Sequence, residues 1–416
     1  MSTAPAENRL LIKSLTYLMF MMFAMTTDSV GIIIPEVIKT YHLSLTAAGA
    51  FHYANMSAIA FAAIALGFLA DLLGRKKTIV LGLILFALNS YLFAAANSYF
   101  AFVILLVVSG ASIGIFKTGA LSLIGDITHS TNEHTSTMNM VEGFFGVGAI
   151  IGPAIVARLL LRGLSWKWLY VIAGTLCVLL VITASALRYP RTMKKSAEPV
   201  DLRRTFRILK SPYALGFSLA CFLYVAVECA VYVWLPTYLG EHKPASAFMA
   251  AYVVSIFFVL RAAGRFLGAW VIARWNWTTV LLVFSGAVLT CFVGSMFGGS
   301  NATVYLLALS GLFMSVLYPT MNSKGISCFP KAEHGAISGV LLFFTCAGAA
   351  IGPLAMGAVS DLFHGLQAGF VLATSFAALL FLGLLYNWAA NPARQVLERS
   401  DATEYGVTAS APGQLH

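Results

Sequence analysis

Long apolar stretches separated by short polar connections dominate the hydrophobic pattern of this chain. Each stretch has about the 20 residues that an α-helix needs to cross the hydrocarbon core of a bilayer. The pattern therefore predicts an all-α integral membrane protein. Its twelve predicted helices are 14–39, 46–70, 78–96, 100–125, 137–161, 167–188, 213–239, 246–272, 278–297, 302–326, 334–359 and 366–389.

One connection is longer than the others and divides the predicted helices into six and six. We expect an N-terminal six-helix bundle over residues 1–188 and a linker over residues 189–212. A second, pseudo-symmetric bundle is expected over residues 213–391, followed by a disordered tail over residues 392–416. Two related bundles are typical of transporters that are built from repeats.

Composition supports the membrane interpretation, because 59% of the 416 residues are hydrophobic and only 10% are charged. A soluble fold of this composition would expose large apolar patches. The net charge of +10 is also typical of nucleic-acid binding, but the basic residues lie in the loops. The positive-inside rule then predicts that both termini and the linker are cytoplasmic, and nucleic acid is not an expected partner. We expect a monomer in the inner cell membrane, surrounded by lipid.

A basic loop between the second and third predicted helices reads GFLADLLGRKK. Its first glycine permits close helix packing and its second turns the chain. Its aspartate can pair with a basic group or a helix terminus in one conformation and release it in another. The residues expected to form this gating motif are Gly67, Asp71, Gly74 and Arg75.

A degenerate copy of this loop lies at the corresponding place in the second half, at Gly264, Arg265 and Gly268. The two copies together resemble the signature loops of the major facilitator superfamily. That resemblance implies twelve helices in two bundles and transport by alternating access.

The fifth and eleventh predicted helices share a glycine-rich pattern that ends in Gly-Pro, at Gly152-Pro153 and Gly352-Pro353. Small residues let helix backbones approach, and proline weakens a helix locally. We expect these pairs to act as hinges, with helices that pack across the seam between the bundles. Simple packing glycines are the alternative for any single position.

Three segments resemble the fucose–galactose–hexose:H⁺ symporter family, namely 138–146, 224–238 and 311–320. The resemblance implies proton-driven symport of a small polar, sugar-like metabolite. Two alternatives remain open: transport of an organic anion or sugar acid, and drug or metabolite efflux by proton antiport. Efflux carriers usually have an arginine where this chain has Leu106, and no filter loop or long soluble domain favours a channel or receptor.

The sequence contains no motif for a function other than transport. No HExxH, Walker or GxSxG motif is present, so no enzyme active site or nucleotide site is predicted. The six cysteines lie in apolar stretches without CxxC spacing, which indicates buried thiols rather than disulfides or a metal site. We expect no cofactor, and an ion gradient as the driving force.

Charged residues within the apolar stretches are candidates for function, because an ionisable group is costly at bilayer depth. Asp28 lies at the middle of the first predicted helix, and the resemblance places it at the aspartate implicated in proton coupling. Lys117 lies on the fourth helix, where the fucose-type members carry a glutamate. We predict an Asp28–Lys117 pair that serves substrate binding and proton coupling, with a purely structural pair as the alternative.

Five further residues complete the candidate site. Glu142, at the start of the fifth helix, is either a second proton site or a solvated side chain. Glu228 is expected to accept hydrogen bonds from a sugar hydroxyl, and Tyr224 and Trp234 offer aromatic surface for a sugar face or an interfacial belt. Arg261 is expected to bind an anionic group of the substrate or to pair with Glu228, and the sequence leaves both possibilities open.

Overall fold

The computed structural model describes residues 6–66, 69–127, 131–189, 208, 210–242, 244–272, 274–330 and 334–404. Within these ranges all regular secondary structure is helical. Eleven helical stretches are long and apolar enough to cross a membrane. A further apolar helix of 16 residues, Ala50–Ala65, is the twelfth. The predicted all-α fold with twelve membrane-spanning helices is confirmed, and we number these helices as spans 1 to 12.

Spans 1 to 6 are Ala6–Thr27 with Val30–Tyr41, Ala50–Ala65, Arg75–Ala95, Tyr99–Ile127, Thr131–Leu161 and Trp168–Ala186. Spans 7 to 12 are Pro212–Glu241, Ala247–Ile272, Trp277–Phe297, Gly299–Met314 with Leu317–Ser327, His334–Leu362 and Leu366–Ala390. Short helices at Leu45–Ala48 and Leu69–Leu72 lie in the connections before and after span 2. By its contacts the chain divides into two compact units, Met1–Glu198 and Pro199–His416.

The spans present large apolar side chains on their outer surfaces. Phe100, Phe266 and Phe297, for example, are 75%, 82% and 85% exposed. Such a surface would drive aggregation in water but is suited to hydrocarbon. The chain is therefore a multi-pass membrane protein.

Glycines set the packing of the first unit, where span 1 packs on span 5, span 2 on span 4 and span 3 on span 6. Gly148 and Gly152 of span 5 lie directly against the backbone of span 1, and Gly110 of span 4 lies against span 2. A side chain at any of these glycines would overlap the neighbouring helix. Because hydrocarbon provides no hydrophobic drive between helices, the van der Waals contacts that such close approach permits contribute to their association.

The second unit repeats these pairs internally, with span 7 on span 11, span 8 on span 10 and span 9 on span 12. Gly348 and Gly352 of span 11 lie against span 7, and Gly264 of span 8 and Gly311 of span 10 lie in the interface between those two spans. The Gly-Pro helices thus each have a packing partner within their own unit.

Spans 1 and 10 are interrupted, although the pattern predicts continuous helices at 14–39 and 302–326. Span 1 breaks at Asp28 and Ser29, and span 10 breaks at Ser315 and Val316. At each break a serine hydroxyl donates to the carbonyl one turn back: Ser29 to Met25 at 2.6 Å and Ser315 to Leu312 at 2.8 Å. Such bonds compete with the regular helix ladder and bend it.

The tail differs from the expectation of disorder from residue 392. Asn391 ends span 12 in a left-handed turn, and a new helix runs over Arg394–Glu404. An ion pair between Arg394 and Glu398, one turn apart at 2.8 Å, supports this helix. The rest of the tail, residues 405–416, lies outside the described residues, as does nearly all of the central linker.

Candidate functional site

Asp28 stands at the break in span 1, where the helix ends at Thr27 and resumes at Val30. Its side chain is mostly shielded, with 8% exposure, and its Oδ2 accepts a hydrogen bond from the Thr27 hydroxyl at 2.8 Å. The neighbouring Ser29 lies against Gly152 of span 5. A carboxyl group held at a helix interruption, away from bulk water, is suited to accept and release a proton.

The predicted Asp28–Lys117 ion pair is not present among the described residues. The Lys117 ammonium instead lies over the ring of Phe145 on span 5, 5.6 Å from the ring centroid. The alignment of spans 1 and 5 explains this result. Gly148 lies against Met21, so residue 145, three positions earlier on span 5, is level with residue 18 on span 1. Asp28 lies ten residues further along span 1, about 15 Å at helical rise, which is much longer than a lysine side chain.

Glu142 lies on span 5, one turn before Phe145, and its side chain is exposed. Since this span begins at Thr131, Glu142 is in its fourth turn rather than at its start. Among the described residues, the Glu142 carboxylate forms no ion pair.

The second unit places Glu228 and Arg261 in direct contact. Arg261 Nη1 of span 8 lies 2.7 Å from Glu228 Oε1 of span 7, which is the second of the two possibilities that the sequence left open. The Arg261 side chain is 22% exposed and that of Glu228 is 8% exposed. Tyr224 donates to Glu228 at 3.4 Å and to the carbonyl of Met314 at 3.1 Å. A donor and an acceptor of opposite charge therefore lie side by side, with the arginine more accessible.

Two aromatic candidates are too deeply buried to stack on a sugar ring. Tyr224 is 1% exposed and Trp234 is 0% exposed. The Trp234 indole donates a hydrogen bond to the carbonyl of Pro353 at 3.1 Å, so it ties span 7 to the Gly-Pro turn of span 11. These contacts assign both rings to the interior of the unit, and neither offers a free face.

Sequence reasoning missed Tyr318, which stacks on Tyr224 with ring centroids 5.9 Å apart. Thr345 of span 11 donates to the Tyr318 hydroxyl at 3.5 Å. Tyr318 follows Gly311 by seven residues, as Lys117 follows Gly110 in the first unit. Both glycines pack against a neighbouring span in the same way. The repeated seven-residue spacing was therefore the sequence signal from which Tyr318 could have been identified as a candidate.

A second missed feature is the wide helical turn that follows Glu228. Residues Ala230–Trp234 form a π-helix inside span 7. Such turns are rare and frequently mark functional sites. Asp28 in the first unit and Glu228 in the second thus each stand at an irregularity of the corresponding span, 200 residues apart.

The first gating loop is only partly described. Gly67 lies outside the described residues, and Asp71 lies in the helix Leu69–Leu72, although its side chain is not described. Gly74 has a φ of 84°, which favours glycine, and Arg75 begins span 3. The loop therefore turns at Gly74 as its sequence suggests.

The second copy of the loop is built differently, since it lies inside span 8. Gly264 and Gly268 contact Ser315 and Val316, the residues at the break in span 10. Arg265 lies between these glycines and is half-buried. This segment therefore combines close helix packing with a positive charge next to an interrupted helix.

The described part of the chain contains no cluster of three or more His, Cys, Asp or Glu side chains that could hold a metal ion. All six cysteines are free thiols.

Comparison with known proteins adds a family match over most of the chain. Residues 16–353 match the Major Facilitator Superfamily. The L-fucose-proton symporter of Escherichia coli (strain K12) is 24% identical over 404 residues, which cover 88% of this chain and 90% of that protein. A glucose/galactose transporter of Brucella abortus biovar 1 (strain 9-941) is 24% identical over 392 residues, which cover 90% and 93%.

A solved structure shares the fold. A variant of the E. coli fucose:proton symporter FucP is 22% identical, with a TM-score of 0.63 over 91% of this chain and 99% of that chain.

Proposed function

Because the chain belongs to the Major Facilitator Superfamily, we propose that it is a proton-coupled symporter for a small, sugar-like metabolite. The relatives whose names state fucose–proton symport and glucose/galactose transport match it over about nine tenths of its length. The observation that carries the proposal is Asp28, a shielded carboxyl group at the interruption of a membrane-spanning helix. We further propose a monomer in the inner cell membrane with cytoplasmic termini.

Asp28 is the proposed proton site. Its side chain is mostly shielded from water, and the Thr27 hydroxyl donates a hydrogen bond to its Oδ2. A change in the packing of span 1 that breaks this hydrogen bond or admits water is therefore the proposed way in which proton exchange is coupled to the transport cycle. Glu142 is exposed, so it is proposed only as an auxiliary site along the proton path.

Glu228 and Arg261 are the proposed polar groups for substrate in the second unit. A carboxylate accepts hydrogen bonds from sugar hydroxyls and a guanidinium donates them, so the pair offers both functions without net charge. Tyr318, which is half-buried and faces Tyr224, extends this polar surface. Tyr224 acts as a positioning residue, since its hydroxyl holds Glu228 and the chain of span 10.

The gating and hinge roles follow from the packing of glycines. The tight turn before span 3 contains Gly74 and Arg75. Spans 8 and 10 meet at Gly264 and Gly268, and Arg265 lies between these two glycines. Such contacts are suited to open and close as rigid helices rock, which is the motion typical of this class.

Gly152-Pro153 and Gly352-Pro353 remain proposed hinges. The Pro353 carbonyl accepts the Trp234 hydrogen bond, which couples one of these turns to span 7.

The test of the proposal is transport by purified protein in liposomes with an imposed pH gradient. Labelled fucose, glucose and galactose are offered together with the sugar acids glucuronate and galacturonate, and uptake above the outside concentration is measured. We expect Asp28→Asn to abolish uphill uptake while leaving counterflow exchange measurable, because the substrate site persists and the proton site is lost. Glu36→Gln in the same span is the control, since Glu36 makes an exposed ion pair with Lys39. Unchanged uphill uptake by the Asp28 variant would contradict the proposal.

A further inference from the structure

Lys117 is a positive charge inside span 4 that has no negative partner among the described side chains. Among the described side chains, its ammonium lies over Phe145, and no carboxylate is within ion-pairing distance. A cation–π contact recovers only part of the cost of removing an ammonium from water. The lysine is half-buried, so its charge is reachable by a molecule that enters the unit.

The two acidic candidates of the first unit, Asp28 and Glu142, do not fill this role. Asp28 lies about 15 Å further along span 1 by helix register, and it accepts its hydrogen bond from Thr27. Glu142 lies one turn before Phe145 but is exposed and does not pair with Lys117. Among the described side chains, none therefore offsets the charge of Lys117.

Aromatic rings lie beside the ammonium. Phe145 provides the ring under Lys117, and the adjacent Phe144 stacks on Tyr17 of span 1 with centroids 5.4 Å apart. Aromatic faces are suited to the apolar face of a sugar ring.

From these observations we infer that the substrate is a sugar that carries one carboxylate, and that Lys117 binds the carboxylate. A single ammonium matches a single negative charge, whereas a doubly charged phosphate calls for more than one cation or a bidentate arginine. This inference rests on the proposed function, proton-coupled symport of a sugar-like metabolite, and specifies its substrate class.

The inference changes the charge that moves in each transport cycle. A neutral sugar that travels with one proton carries one positive charge across the membrane. A sugar with one carboxylate that travels with one proton carries none. An imposed membrane potential therefore drives uptake in the first case and leaves it unaffected in the second.

Matched pairs of substrates test the inference in liposomes that contain the full chain. Glucose is compared with glucuronate, and galactose with galacturonate, because each pair differs only in an alcohol or a carboxylate at the same carbon. Uptake is driven by a pH gradient, with and without a potassium diffusion potential. We expect uptake of an acid member, inhibited by the other acid and unaffected by the potential.

Variants at Lys117 test the residue itself. We expect Lys117→Gln to weaken binding of the acid about 10- to 100-fold, the usual effect of losing a hydrogen bond to a charged group. Lys117→Arg, which keeps the charge, should retain most of the affinity. Lys39→Gln, at an exposed lysine of span 1, is the control. Thermal unfolding of each purified variant without ligand checks that the fold is intact.

The possible outcomes separate the inference from the proposed function. Uptake of neutral sugars with no competition by the acids would overturn the inference and leave proton-coupled sugar symport intact. Acid uptake that is equal in the wild type and Lys117→Gln would also overturn it. A pH gradient that drives neither series would instead reject the proposed function, and the inference with it.

Discussion

The ion pair between Arg261 and Glu228 allows a quantitative test of how the second unit is held together. Removal of one partner of a buried ion pair typically costs about 3–5 kcal/mol, because the remaining charge is left without compensation. Arg261 is 22% exposed and Glu228 is 8% exposed, so the pair is only partly buried. We therefore expect Arg261→Met and Glu228→Gln each to lower the free energy of unfolding by about 2–3 kcal/mol.

The double variant is the informative member of this set. With both charges removed, no uncompensated charge remains, and the loss should be smaller than the sum of the two single losses. We expect a coupling energy of about 2 kcal/mol from the double-mutant cycle. Unfolding in mixed detergent micelles, followed by circular dichroism, gives the free energies.

An exposed pair of the same chemical type is the control. Arg394 and Glu398 lie 2.8 Å apart on the surface of the last helix, with side chains 69% and 59% exposed. We expect no measurable coupling there, because water and salt screen exposed pairs. If the cycle at Arg261 and Glu228 is equally additive, the reasoning about this buried pair is wrong.

Two packing predictions concern span 11. A methyl group at Gly352 would lie 2.7 Å from a backbone atom of span 7, so Gly352→Ala should destabilise by about 1–3 kcal/mol and impair uptake. Gly339→Ala on the same span meets no atom within 4 Å and should be neutral or stabilising; equal loss in both variants would contradict the packing argument. Trp234→Phe should cost about 2 kcal/mol through the lost hydrogen bond to Pro353 and the smaller ring. Trp168→Phe, at a half-exposed ring, is its control, and similar melting temperatures of the two variants would refute the prediction.

Membrane fold and family were accessible from sequence because both depend on properties that are local in the chain. Hydrophobic length determines which segments cross a bilayer, and the boundaries of most spans agree with the expected ones within a few residues. The glycine patterns also identified the positions of close helix contact, since glycine alone tolerates them. What the sequence did not show is which helix each glycine contacts.

The candidate site illustrates the limit of this reasoning. The position of each charged residue within its apolar stretch correctly identified the charges that lie within the spans, namely Asp28, Lys117, Glu228 and Arg261. The sequence predicted the wrong partner for Lys117, because pairing depends on the register between neighbouring helices. It also treated Trp234 as a binding surface, although the ring is buried.

The chain alone thus determined that this is a twelve-span, two-bundle carrier of the Major Facilitator Superfamily, since hydrophobic length and short loop motifs are read residue by residue. Only the tertiary structure decided that Arg261 pairs with Glu228 and that Lys117 lies over Phe145. The physical reason is that electrostatic partners lie within a few ångströms of each other, whereas a shift of one helical turn between two spans moves a side chain by about 5 Å. A sequence places a charge in the membrane, and helix packing determines what that charge meets.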